Sequence, residues 1–182
     1  MARSINRAGK PFFPLAAIVA AVLLLAVAAG CGRDKSPEPQ QTPQERPQEQ
    51  VYPFKVVTFD NSVFTLDSVK GKPVVLNFWA SWCGPCKLEA PTLQRAYETF
   101  GPYGVEFIGV AVDDTEQGAR EFVKRFGLTF RTALDSTGEI MSLYRIYGVP
   151  KTYIIGKDGK VAYTHSGAIT GEVLAREIKK VM

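Results

Sequence analysis

Histidine, cysteine and tryptophan are scarce here: one His, three Cys and two Trp in 182 residues. A structural zinc takes four nitrogen or sulfur ligands, and one close cysteine pair, a distant Cys31 and a lone His165 do not complete such a set. No metal and no dissociable cofactor are therefore expected. Clustered basic charge is lacking too. The formal charge is +4, and subtracting Arg3, Arg7 and Lys10 of the first thirty residues leaves +1 for the remainder. A nucleic-acid partner needs a Lys/Arg patch with interleaved aromatics, so none is expected. Beyond residue 30 there is no long apolar run, which excludes a polytopic membrane protein.

What is present divides into three parts. Residues 1–30 give a basic start, an apolar run from Leu15 to Ala29 and small residues leading into Gly30-Cys31, the layout of an export signal or membrane anchor. Ala28-Ala29-Gly30-Cys31 resembles the lipobox of bacterial lipoproteins, which implies lipidation of Cys31 and a bacterial-type lipoprotein. An uncleaved anchor and simple secretion are the alternatives. All three put the rest of the chain outside the cytoplasm, in the periplasm or on the outer face of the cell membrane. Residues 31–50 are rich in Pro, Gln and Glu and almost free of apolar side chains, so they cannot offset ordering entropy and read as a linker. Pro37, Pro39, Pro43 and Pro47 bias it toward polyproline II, with a reach near ~60 Å.

Residues 51–182 carry the periodicity of one folded domain. Apolar residues from Phe54 to Leu66 flank Asp60-Asn61-Ser62, the pattern of an N-terminal β-hairpin. Val74 to Trp79 is short and almost wholly apolar, as expected of a central strand buried on both faces. Cys86, Ala90, Leu93, Tyr97 and Phe100 then recur at helical spacing. Further signals predict a strand over 105–112, a helix closed by Gly127 and a strand over 129–134. Ser136 and Glu139 read as a capping box for a helix running through Tyr147 and ended by Gly148. Two strands joined by Gly156-Lys157-Asp158-Gly159 and a helix started by Thr170 complete the chain. Parallel βα units followed by an antiparallel hairpin imply an α/β fold with a mixed sheet covered on both faces.

Trp82-Cys83-Gly84-Pro85-Cys86 lies where the central strand gives way to a helix. Free N–H groups and the macrodipole at a helix start favour an anion, and the thiolate is the nucleophile of disulfide exchange. Cys83 is expected to be the attacking, partly exposed thiol. Cys86, one turn on and more buried, would resolve the mixed disulfide. Trp79 is expected in the core and Trp82 at the surface. His165 is read as a surface residue near the last strand.

Asn77 to Cys86, with Pro91 five residues on, resembles the active site of the thioredoxin superfamily. The leader, the hairpin, an extra βα unit and Glu89 resemble, more narrowly, the extracytoplasmic TlpA/ResA-like thiol-disulfide oxidoreductases. The resemblance implies a thioredoxin-like three-layer αβα fold with an extra βα insertion and a redox-active Cys83–Cys86 disulfide. It further implies a protein-disulfide reductase acting on disulfide-bearing proteins, apocytochrome c during cytochrome c maturation among them, and recharged by a membrane electron-donor thiol protein. Gly148 to Thr152 is similar to the family's second signature, which implies a cis Pro150 facing the cysteines and a Val149 backbone that binds substrate. Trp82, Gly84 and Pro85 belong to the same substrate-contacting surface by that likeness, and Gly84-Pro85 resembles the reducing couple of thioredoxin. Where thioredoxins carry a buried Asp, this chain has Asn77, so the proton-handling role falls to Glu89. Burial beside Leu93 would raise its pKa.

Two other functions remain open on sequence alone. A peroxiredoxin-like peroxidase would share the fold, although the paired cysteines argue against a lone peroxidatic thiol. A non-catalytic binding lipoprotein would use a sheet edge and not need the cysteines at all.

Overall fold

The structure, a computed structural model, describes residues 50–182. The expected signal or anchor, Cys31 and the linker through residue 49 lie outside the described residues. Among the described residues no helix is long and apolar enough to cross a membrane.

The expected hairpin forms from Lys55–Val57 (β1) and Val63–Thr65 (β2), antiparallel with Val56 opposite Phe64. Asn61 takes the left-handed conformation (φ 65°) in its turn, which asparagine tolerates better than most residues. A 3₁₀ turn over Leu66–Val69 leads into the main sheet. That sheet contains Val74–Trp79 (β3), Glu106–Ala111 (β4), Arg131–Leu134 (β5), Lys151–Ile155 (β6) and Val161–Ser166 (β7), in the order β5-β4-β3-β6-β7. β3, β4 and β5 are parallel, while β6 runs antiparallel to β3 and β7 antiparallel to β6. β3 is the central strand, and all six of its residues are buried.

Among the described residues three α-helices connect strands, Gly84–Phe100 (α1), Glu116–Phe126 (α2) and Glu139–Leu143 (α3), and a fourth, Gly171–Val181 (α4), follows β7. Two βα units thus separate α1 from β6. Side chains alternate across β3 with the two-residue period of a strand. Val75 and Trp79 join Leu93 of α1, Phe122 of α2 and Leu174 and Ile178 of α4 in one core layer. Leu76 and Phe78 point the other way, against Phe54 and Phe64 of the hairpin region and Ile140 and Tyr144 near α3. The second face is therefore covered by the hairpin and one short helix.

Local signals account for most helix ends. Thr115 caps α2 by accepting from the Gly118 N–H, and Gly127 closes it in the left-handed conformation. Thr170 caps α4 by accepting from the Val173 N–H, as expected. The expectation for α3 is corrected in two respects. Ser136 does not cap it; Gly138 (φ 73°) stands at the N-cap, and the Asp135 carboxylate accepts from the Met141 N–H at 2.7 Å. The helix also stops at Leu143, short of Tyr147. Tyr144 turns into the core against Phe54, Phe78 and Tyr153, its hydroxyl donating to the Tyr52 carbonyl, and Arg145 follows in the left-handed conformation. Aromatic packing overrides the helical continuation that the spacing suggested.

Candidate active site

β3 ends at Trp79, and four residues later Cys83 stands at the N-cap of α1. Pro85 sits in the first turn, where a missing N–H costs nothing because no intrahelical acceptor exists there. Cys83 and Cys86 form a disulfide, and the Cys86 N–H donates to Cys83 Sγ at 3.1 Å. The helix start therefore directs a hydrogen bond onto the sulfur that would bear negative charge after reduction.

Across the site, the Val149–Pro150 bond is cis, as the resemblance implied, and the Val149 carbonyl oxygen lies 3.6 Å from Cys83 Sγ. Pro150 is buried and Val149 half-buried, while Gly84 and Pro85 are exposed. One expectation changes here. Cys83 is not partly exposed in the disulfide form, with 3 % of its surface accessible against 1 % for Cys86. Its bond to Cys86 and the facing Val149 segment cover the sulfur from two sides.

The two tryptophans separate as expected. Trp79 is buried and stacked on Phe122 at 4.4 Å between ring centres, its Nε1 lacking a partner among the described residues. A side chain at Gly109 would come within 2.9 Å of that nitrogen, so the neighbouring strand has no room for one. Trp82 is exposed and donates from Nε1 to the Asp113 carbonyl at 2.8 Å.

Glu89 is buried more completely than expected, with 2 % exposure. Its Oε1 accepts from Asn77 Nδ2 at 2.9 Å and its Oε2 from the Ile169 N–H at 3.0 Å. Desolvation raises its pKa to about 7, while the Ile169 and Asn77 hydrogen bonds pull in the opposite direction. It stands three positions after Cys86 on α1, a spacing that brings Cβ atoms within about 5–6 Å of each other on one helix face. His165 stands on β7 directly opposite Thr152, with Nδ1 3.1 Å from the Tyr163 hydroxyl and Nε2 3.4 Å from the Ala168 carbonyl oxygen.

Two supports were not read from the sequence. Asp114 accepts from both the N–H and the hydroxyl of Ser81, at 2.5 and 2.7 Å, so the β4–α2 loop clamps the segment entering the cysteines. The sequence signal was a pair of aspartates at a strand end before a helix cap, with a glycine two residues into the helix. The other is Asn77, dismissed as non-titrating although it donates to the carboxylate that does titrate.

The comparisons agree with this geometry. A family model described as the AhpC/TSA family matches residues 47–164. The thiol-disulfide oxidoreductase ResA of Bacillus thuringiensis subsp. konkukian (strain 97-27) is 38% identical over 128 residues, covering 70% of this chain and 74% of that one. The chain belongs to the AhpC/TSA family, as a thiol-disulfide oxidoreductase of the ResA type. Solved structures of disulfide oxidoreductases superpose on it as well. A protein from Chlorobium tepidum described as a putative thiol:disulfide interchange protein DsbE aligns with TM-score 0.68 and 28% identity, over 74% of this chain and 96% of that one. A secreted Mycobacterium tuberculosis disulfide oxidoreductase homologous to E. coli DsbE aligns with TM-score 0.65 and 27% identity, over 70% and 95%. The ResA-type assignment makes the chain a protein-disulfide oxidoreductase with a thioredoxin-like fold, acting on disulfide-bearing proteins.

Proposed function

We propose that this oxidoreductase works in the reducing direction outside the cytoplasm, tethered to a membrane through lipidated Cys31 or an N-terminal anchor. The observation that carries the chemical part is the Cys83–Cys86 pair at the head of α1, with the Val149 carbonyl 3.6 Å from Cys83 Sγ and Glu89 one turn behind Cys86.

In the reduced protein the Cys83 thiolate attacks one sulfur of a substrate disulfide. A mixed disulfide forms and the other substrate sulfur leaves as a thiolate. Val149 presents backbone groups to the substrate chain beside Cys83, in the manner of strand addition, with Trp82, Gly84 and Pro85 as the exposed surface around it. Glu89, ionised, takes the proton of the Cys86 thiol. The Cys86 thiolate then attacks Cys83 Sγ, the second substrate sulfur is released, and the protein is left as its disulfide. Two electrons have passed to the substrate. A membrane electron-donor thiol protein restores the dithiol, with Cys86 leaving as a thiolate that recovers its proton from Glu89. Apocytochrome c cysteines before haem attachment are the proposed physiological disulfide.

Cys86→Ser blocks resolution, so mixed disulfides should accumulate on Cys83 in cells and identify the substrates. The double variant Cys83→Ala, Cys86→Ala should fail to reduce insulin. A wild-type protein that turns over hydrogen peroxide but leaves insulin intact would favour the peroxidase reading instead. Undiminished complementation by the double variant would favour a non-catalytic binding role.

A further inference from the structure

Asn77 and Thr152 face each other across the β3–β6 pair, on the side of the sheet that carries α1. Asn77 spends both N–H bonds of its amide on this face: one goes to Glu89 Oε1 at 2.9 Å, the other to Thr152 Oγ1 at 3.0 Å. Both residues are buried, at 2 % and 0 % exposure, so no water competes for these bonds. Thr152 lies two residues beyond cis Pro150 on the strand that faces the disulfide. The second carboxylate oxygen is held by Ile169, and the same loop is fixed to Pro150, whose carbonyl accepts from the Gly167 N–H at 2.9 Å. Glu89 is thus gripped from β3 and from the loop before α4, and both grips trace back to the Pro150 segment.

We infer that Asn77 is a positioning residue of the exchange reaction: its amide, anchored on Thr152, holds the Glu89 carboxylate in the ionised state that accepts the Cys86 proton. The inference rests on the proton role proposed for Glu89. An amide is suited to the place because it donates without titrating. A carboxylate at 77 would share one proton with Glu89 and repel its charge. The donors to Glu89 are neutral, and no ionic partner contributes to its shift. Of the charged and titratable groups on the packed elements, Arg176 and Lys180 on α4 both pair with Glu177, the Lys151 ammonium of β6 lies over the Tyr153 ring at 5.2 Å, and His165 of β7, opposite Thr152, has its ring nitrogens toward the Tyr163 hydroxyl at 3.1 Å and the Ala168 carbonyl at 3.4 Å. Lys87 of α1 is half-buried between Cys86 and Leu88. The hydrogen bonds from Asn77 and Ile169 are then the opposition to desolvation, whose net effect leaves the carboxyl at about 7.

The test is the pH dependence of the resolving step, followed by stopped flow on the full-length protein after mixing with a substrate disulfide. Asn77→Leu keeps the branched shape and heavy-atom count and removes the donor, so the midpoint assigned to Glu89 should move up by about one pH unit, the worth of one hydrogen bond to a charged group. Thr152→Val, nearly isosteric, should move it the same way by less. Neither change should move anything in a Glu89→Gln background. A midpoint that stays in place in both variants, with rates lowered equally at all pH, overturns the inference and leaves Glu89 as the proton carrier. A midpoint that survives Glu89→Gln overturns the underlying reading of Glu89 as well, so the two failures are distinguishable.

Discussion

Burial and hydrogen bonding oppose each other at Glu89, and stability carries the mark of that contest. Its folded pKa, about 7, stands above the ordinary 4.5, so the native state binds a proton that the unfolded chain has already lost between those values. The contribution is fully present below pH 4.5 and is lost as pH rises through 7. The difference amounts to roughly 3 kcal/mol by linkage. Urea midpoints of the wild type should therefore fall between pH 4.5 and 7 relative to those of Glu89→Gln, whose slope over that window should be flatter. Parallel slopes would place the titration elsewhere. Glu89, the proposed proton carrier, stood out in the sequence only through family likeness and helical spacing. Its partners were not, because Asn77, Thr152 and Ile169 are brought together by strand pairing and a distant loop that no local pattern reports.

Among the elements, those with a clean period were read correctly and those shaped by long-range packing were not. β3 declared itself by an unbroken apolar run, and α1 by its stripe of buried residues. The short α3 was overextended because Tyr144 and Tyr147 sit at helical spacing, although only Tyr144 enters the core while Tyr147 is exposed. The β4–α2 loop yields a prediction at this scale. A Cβ at Gly118 would lie 2.7 Å from Ser81 Oγ, 3.0 Å from Thr115 Oγ1 and 3.1 Å from an Asp114 oxygen. Gly→Ala inside a helix ordinarily stabilises by up to about 1 kcal/mol. Here Gly118→Ala should instead cost about 1–3 kcal/mol in chemical denaturation, as overpacking does, and slow insulin reduction by shifting the Ser81-Trp82 segment. A gain in stability would mean that the clamp yields freely. Thr170→Ala should cost about 1 kcal/mol by loss of the α4 cap without changing the exchange rate.

At the scale of the molecule, the described residues 50–182 belong to one compact unit, and the proposed tether precedes them in the chain. A polypeptide beginning at residue 45 should fold and reduce insulin at the full-length rate, since every group of the site lies at or beyond Asn77. Cys31→Ala in the full chain should abolish incorporation of labelled palmitate while leaving purified activity intact. Labelling that persists would rule out Cys31 as the lipid acceptor. The fold class was recoverable from the alternation of strands and helices. The covering of the second sheet face by a hairpin and one short helix was less so, because hairpin and helix reach it from distant parts of the chain.

The chain has two tryptophans, one sealed against Phe122 and the other exposed beside Cys83 and tied to Asp113. Disulfides quench indole emission at short range by electron transfer, and thiols do so far less. Opening the Cys83–Cys86 bond should thus brighten the protein, so the molecule carries its own optical gauge of how many electrons it holds.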